Sequence, residues 1–173
     1  MKLLLSDWRV ADDLQQTLAV SELWPSLNWQ GQQIQFKGPV QLSLQITGQQ
    51  KSLLLRGEIA ANLELACSRC AEDFLLPMRC VVDETISLAD EDEQEMLVDR
   101  AQDELDLSEL GLQVLLENLP LQPLCRPDCR GLCSLCGQNL NRGNCDCETD
   151  PIDPRLAILG QLFRQDDQSK KEG

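Results

Sequence analysis

Apolar and polar residues alternate most regularly in the middle of the chain. Val40, Leu42, Leu44 and Ile46 alternate with Gln41, Ser43, Gln45 and Thr47, the period of two that marks a strand with one face buried and one in water. Gly48 to Lys51 reads as a turn. Beyond it, Leu53, Leu55, Ile59, Ala61, Leu63, Leu65 and Cys67 share odd positions, with Glu58, Asn62 and Glu64 on the other face. Leu54 departs from the alternation, and Gly57 predicts a bulge or a close backbone approach. After Cys70 the apolar set moves to even positions: Phe74, Leu76, Met78, Cys80, Val82, Ile86 and Leu88. Pro77 has no N–H to give to a ladder, which predicts an edge strand. The two strands flank Cys67-Ser68-Arg69-Cys70, so a C-x-x-C falls at the tip of a hairpin.

Elsewhere the period changes. Asp106 and Glu109 are spaced as a capping box before a helix that Pro120 ends. Leu107, Leu110 and Val114 form one stripe of it; Leu112, Leu115, Leu116 and Leu119 form another, so the helix is predicted to be covered on more than one side. Asp153 and Pro154 read as the N-cap and first position of a second helix, with Leu156, Leu159, Leu162 and Phe163 on one face. Residues 1–35 are weakly patterned, with a short helix predicted over Val10–Leu23, before Pro25. The stretch 83–109 holds twelve Asp or Glu against one basic residue, Arg100. It reads as a solvated, mobile connector, or as a docking surface for a basic partner.

Composition narrows the function. At 42% hydrophobic but only 3% aromatic residues, the chain can build a core, and that core must be aliphatic. The formal charge of −14 works against a broad grip on nucleic acid. No histidine is present, which removes Ser-His-Asp and Cys-His nucleophile systems, histidine metalloprotease sites and any histidine general base. The run Leu3-Leu4-Leu5 is broken by Asp7 and is too short for a signal-peptide apolar region, and no apolar stretch is long enough to span a membrane. A cytoplasmic protein is expected, with neither catalytic residues nor a small-molecule substrate.

Nine cysteines then stand out, eight of them in four pairs: Cys67 and Cys70, Cys125 and Cys129, Cys133 and Cys136, Cys145 and Cys147. In a reducing compartment such pairs serve metal or redox chemistry rather than structural disulfides. Zinc takes four thiolates in a tetrahedron, and a C-x-x-C turn brings two sulfurs to one side. Gly137, following Cys136, tolerates the positive φ that aims backbone amides at the sulfurs. The expected arrangement is two zinc ions. One is held by Cys133, Cys136, Cys145 and Cys147. The other is held by Cys67, Cys70, Cys125 and Cys129 and staples the hairpin tip to the segment after the helix. A rival arrangement recruits Cys129 into the C-terminal site. Each ion would add about 10 kcal/mol to folding, and eight thiolates with two Zn²⁺ together would take the chain to a charge of about −18. Thiolates alone do not choose between zinc and an iron–sulfur cluster. A thioredoxin-like role would want the first pair opening a helix rather than joining two strands. Cys80, on the apolar face, reads as a small core residue.

The same residues carry a resemblance. Cys67-Ser68-Arg69-Cys70, the run from Leu119 through Pro120-Leu121-Gln122-Pro123-Leu124 to Cys125, the run from Cys129 through Cys136-Gly137-Gln138-Asn139-Leu140-Asn141, then Cys145-Asp146-Cys147 and Asp153-Pro154-Arg155-Leu156 resemble the YceD family of bacteria and plastids. The resemblance runs from about residue 55 to 163. It implies a role in making or stabilising large-subunit ribosomal RNA, hence in ribosome assembly, and location in the cytoplasm, or in the plastid stroma in a plant lineage. Some members lack the Cys133 to Cys147 block while keeping counterparts of Cys67 and Cys70 and metal-capable residues near 125 and 129, which supports the two-site grouping.

Pattern and resemblance together predict an α+β fold: a small antiparallel β-sheet with one or two packed helices and a zinc-held cysteine-rich C-terminal module. Its expected parts are a poorly defined N-terminal segment (1–35), a YceD-like core (36–165) containing the cysteine-rich module 125–147, and a disordered polar tail (166–173). The leading functional expectation is a non-enzymatic ribosome-biogenesis factor that contacts a basic ribosomal protein or large-subunit assembly factor. A zinc module acting directly on ribosomal RNA, with Arg126, Arg130 and Arg142 beside the ligands, is a second; a C-x-x-C thiol redox protein is a third.

Overall fold

The structure is a computed structural model that describes residues 2–8, 14–49, 52–88, 97–99 and 102–147. It contains nine strands, β1 (Lys2–Leu4), β2 (Gln15–Glu22), β3 (Leu27–Trp29), β4 (Gln32–Phe36), β5 (Val40–Gln49), β6 (Ser52–Ala66), β7 (Asp73–Ser87), β8 (Val98–Asp99) and β9 (Glu104–Asp106), and one helix, α1 (Leu107–Glu117), among the described residues. All pairings are antiparallel. The α+β expectation holds, with strands predominating. The predicted helix beginning at Asp153 and the tail 166–173 lie outside the described residues.

β6 organises the larger sheet. Along one edge it pairs with β5 from Ser52 to Ala60 and with β4 at Leu63 and Glu64. Along the other it pairs with β7 over its whole length, from Ser52↔Ser87 to Ala66↔Asp73. β2 extends the sheet beyond β5, and β3 extends it beyond β4. The odd-numbered apolar residues of β6 and the even-numbered ones of β5 and β7 face a single core, as alternation requires. Cys80 belongs to that core. Pro77 lies opposite Asn62 on β7, whose only strand partner is β6 among the described residues. Gly57 is in unbroken register with Leu44, so it marks a close approach and not a bulge. A Cβ there would lie 1.9 Å from the Ser43 carbonyl oxygen.

Three expectations are corrected. Residues 15–22 form strand β2 rather than part of a helix, because β5 offers them an open edge from Gln15↔Thr47 to Glu22↔Val40; residues 10–13 lie outside the described set. Gly48 and Gln49 are the last residues of β5, paired with Leu53 and Ser52, so only Gln50 and Lys51 of the expected turn are left, and these are not described. The acidic stretch is not a connector throughout. Asp83–Ser87 complete β7, while β8 and β9 form a small sheet with β1 in the order β1-β9-β8. Leu97, Val98 and Leu105 are buried in the core, which gives the ends of this stretch an apolar anchor that its charge conceals. Residues 89–96 lie outside the described set.

Asp106 caps α1, its carboxylate accepting from the backbone N–H groups of Ser108 (2.8 Å) and Glu109 (3.3 Å). The helix packs on β7 and β1. Leu107, Leu110, Gly111, Val114 and Leu115 are buried, drawn from both predicted stripes. Gly111 lets α1 settle onto β6 and Trp24, since a Cβ there would meet Ile59 Cδ1 at 2.8 Å. The chain that follows the helix reaches the hairpin tip, where the Pro123 carbonyl accepts from the Ser68 N–H.

Candidate metal centre

The tip of the β6–β7 hairpin is a tight knuckle. The Ala71 N–H donates to the Cys67 carbonyl (2.9 Å), and the Cys67 N–H donates to the Glu72 carbonyl (2.9 Å). The segment Cys133 to Gln138 repeats the pattern: Gly137 N–H to the Cys133 carbonyl (2.9 Å) and Cys133 N–H to the Gln138 carbonyl (2.8 Å). The residue after the second cysteine has positive φ in both, 57° at Ala71 and 73° at Gly137. Glycine was the sequence signal for this conformation; Ala71 carried none.

The segment after α1 docks on the first knuckle. The Ser68 N–H donates to the Pro123 carbonyl (2.9 Å), the Leu132 N–H to the Arg69 carbonyl (3.1 Å), and Arg69 Nη1 to the Cys129 carbonyl (2.9 Å). Two groups of four sulfurs result: Cys67, Cys70, Cys125 and Cys129, and Cys133, Cys136, Cys145 and Cys147. Within each group all sulfurs lie within 4.8 Å of one another. In the first group, Cys67 and Cys129 Sγ are 3.7 Å apart, as are Cys70 and Cys125 Sγ. A tetrahedron with metal–sulfur bonds of about 2.3 Å has edges of about 3.8 Å, so this spacing suits one ion among four thiolates. The structure brings Cys129 to the first group, not the second. Cys67, Cys70 and Cys129 are buried, whereas Cys136 is exposed and its three companions half-buried.

Electrostatics fit the same chemistry. Burial opposes ionisation of Cys67, but N–H groups of Cys125, Cys70 and Arg69 outweigh it and bring the thiol down to about 6. Burial and the neighbouring sulfurs push Cys125 up to about 12. In the second group, N–H groups of Cys136 and Leu135 bring Cys133 down to about 6, while the Cys136 side chain and burial push Cys147 up to about 12. Each cluster releases its first proton readily and holds the later ones, because like charges gather in a few ångströms. A dication reverses that repulsion, and each group can hold a metal ion.

Of the three arginines expected beside the ligands, two are engaged locally. Arg142 pairs with Glu72, and Arg126 with Asp128 (3.5 Å) and with Asn141 Oδ1 (2.7 Å). Asn141, which no sequence spacing singled out, donates from Nδ2 to Cys129 Sγ at 3.3 Å.

Residues 55–163 match the model of a family described as large ribosomal RNA subunit accumulation protein YceD. An uncharacterized protein of Mycobacterium tuberculosis (strain ATCC 25618 / H37Rv) is 32% identical over 70% of this chain and 61% of its own length. The large ribosomal RNA subunit accumulation protein YCED homolog 1, chloroplastic, of Arabidopsis thaliana is 27% identical over 78% of this chain and 51% of its own, and its namesake in Zea mays is 27% identical over 64% and 49%. The chain thus spans about half to three-fifths of the length of these relatives. No solved structure matches. No helix among the described residues is long and apolar enough to cross a membrane.

Proposed function

This chain belongs to the YceD family, the large ribosomal RNA subunit accumulation proteins, and we propose that it acts as a non-enzymatic factor supporting large-subunit ribosomal RNA accumulation and ribosome assembly. The family match carries this reading. Two zinc ions, one in each four-cysteine group, hold the C-terminal module to the hairpin tip. The sulfur spacing and the repeated knuckle support metal, and thiolate-only donors in a reducing compartment favour zinc. The placement of Cys67 and Cys70 on a strand-to-strand turn, with two further sulfurs beside them, favours this over a dithiol redox centre.

The direct contact is a basic ribosomal protein or a large-subunit assembly factor. The formal charge of −14 and the acidic residues of 83–109 suit such a partner and not a phosphate backbone. Local pairing of Arg126 and Arg142 with Asp128 and Glu72 also weighs against a dedicated RNA-binding patch there. The protein works in the cytoplasm, or in the plastid stroma if its lineage is plant; the Arabidopsis thaliana relative is named chloroplastic.

The test is sedimentation of lysate with the tagged protein followed alongside large-subunit precursor RNA, then repeated after depletion. Co-migration with precursors, and loss of that RNA on depletion, is expected. A protein that stays at the top of the gradient while the RNA is unchanged would remove the assembly role.

A further inference from the structure

Asn141 lies in the chain between two cysteines of the second group and touches a sulfur of the first. Its Oδ1 accepts from Arg126 Nη2 (2.7 Å) and from the Arg130 N–H (2.8 Å). Both partners are donors only, so the amide orientation is fixed and Nδ2 is the atom turned to Cys129 Sγ, 3.3 Å away. Asn141 belongs to the loop 137–144, whose flanking residues, Cys136 and Cys145, are in the second group. That loop is short and has no helix or strand of its own. Its shape rests on a few contacts: Leu140 N–H to the Gly131 carbonyl (2.9 Å), Asn141 N–H to Asn139 Oδ1 (2.9 Å), and a bridge between Leu132 and Asn139. Cys136 and Cys145, if they held an ion together, would close the loop and restrain Asn141. Cys129, if it held an ion with its three companions, would have the sulfur that Asn141 addresses fixed in place. Leu132 N–H to the Arg69 carbonyl (3.1 Å) and the Arg142–Glu72 pair tie the second group's loop to the first knuckle along the same seam.

We propose that the two metal sites load as a coupled pair, with Asn141 as the positioning residue that transmits occupancy of the Cys133, Cys136, Cys145 and Cys147 site to the Cys67, Cys70, Cys125 and Cys129 site. Each ion orders groups that the other site needs, so the coupling is reciprocal. Outer-shell hydrogen bonds to metal ligands are worth about 10- to 100-fold in affinity, which sets the expected size of the effect. The inference rests on the reading of both groups as metal sites, and its test separates the two.

The reduced, metal-free protein is titrated with cadmium-113, and each site is followed by its own NMR resonance, with affinities from chelator competition. In the wild type both resonances rise together. In Asn141→Leu they fill independently, and the affinity of the Cys67 site falls about 10-fold or more. Asn141→Asp keeps the acceptor for Arg126 and Arg130 but turns a carboxylate to the sulfur, and shows at least as large a loss. Removing the second site by Cys136→Ser with Cys145→Ser lowers the Cys67-site affinity by a similar factor, and adding Asn141→Leu to that variant changes it little further. Wild-type affinity in Asn141→Asp, or a leucine penalty undiminished without the second site, overturns the coupling. Uptake of fewer than two cadmium ions by the wild type overturns the two-site reading itself.

Discussion

Gly57→Ala tests the strand register that carries the hairpin tip. A Cβ on residue 57 would lie 1.9 Å from Ser43 O and 2.9 Å from both Ser43 C and Leu44 Cα. All three are backbone atoms of β5, so no side-chain rotation relieves the overlap. Non-bonded carbons need about 3.5 Å, and the strands must part by about 1 Å or more where Leu44 faces Gly57. That separation stretches the flanking ladder hydrogen bonds beyond useful length. Losing two or three at about 1 kcal/mol each, and loosening the fully buried Leu44, Leu55 and Ile59, costs about 3–5 kcal/mol. Replacing glycine within a strand returns at most about 1 kcal/mol. For a chain of this length each kcal/mol moves the melting temperature by about 2–4 °C, so a fall of about 10 °C is expected by circular dichroism on metal-loaded protein. Gly38→Ala is the control. Residue 38 has φ +100°, and no atom lies within 4 Å of where its Cβ would stand, leaving only backbone strain of about 1–2 kcal/mol. A Gly57→Ala protein melting within about 2 °C of wild type would refute the β5–β6 pairing.

Native mass spectrometry should find two zinc ions per chain. Cys67→Ser with Cys70→Ser and Cys133→Ser with Cys136→Ser should each remove one, and Cys80→Ala neither; loss of metal in the Cys80 variant would contradict its place in the core. In metal-free protein, Cys133 is a thiolate above a pH of about 6 and Cys147 only above about 12. Iodoacetamide labelling of Cys133 should therefore rise as pH passes 6 and level off by about 8, with Cys147 unlabelled over that range; equal labelling of the two would refute the assignment. Asp106→Ala removes both cap hydrogen bonds of α1 and should lower stability by about 1 kcal/mol, read as a melting shift of about 2–4 °C.

The sheet was legible where one face is buried and the other wet, as in β5, β6 and β7. It was not legible at its margins. Leu14 and Leu18 are spaced by four, which fits a helix, while β2 exposes most of its residues and owes its shape to backbone pairing with β5, a tertiary effect that local pattern does not record. The β3–β4 hairpin turns at Gln30 and Gly31, both with positive φ (50° and 80°). Gly31 between Trp29 and Gln32 was the one local signal for it. In 83–109, carboxylates dominate the composition and mask Leu97, Val98 and Leu105. The cysteine pairs were visible from spacing, and the leading grouping, with Cys129 beside Cys67, Cys70 and Cys125, is the one the structure forms; spacing alone did not remove the rival that places Cys129 in the C-terminal group. Cys129 lies only four residues from Cys133 but joins a group whose other half is about sixty residues earlier, and only the hairpin's reach back to the end of α1 explains why.

The division of the molecule into a packed part and a metal-suited part follows from where its apolar residues lie. The main core draws on β1, the six-stranded sheet, β8, β9 and α1, and includes no buried residue beyond Leu115 among the described residues. The chain from Asn118 to Cys147 contains no helix and only an isolated bridge. It leaves Leu121, Leu132 and Leu135 exposed, and among the described residues its one small cluster centres on Cys67, Cys70 and Cys129. The surface that this segment of about thirty residues buries among the described residues is small against its ordering entropy. Hydrogen bonds alone contribute about 1 kcal/mol each, and most of those here are single links between turns. Metal–thiolate bonds, which both four-cysteine groups are placed to form, would supply about 10 kcal/mol or more per structural zinc. The more exposed group, around Cys136, has the thinner protein shell, while the buried group is the one that joins the sheet to the module. With an ion in each group, losing the one at Cys133, Cys136, Cys145 and Cys147 would loosen the outer loop, and losing the one at Cys67, Cys70, Cys125 and Cys129 would release the whole segment after α1 from the hairpin tip.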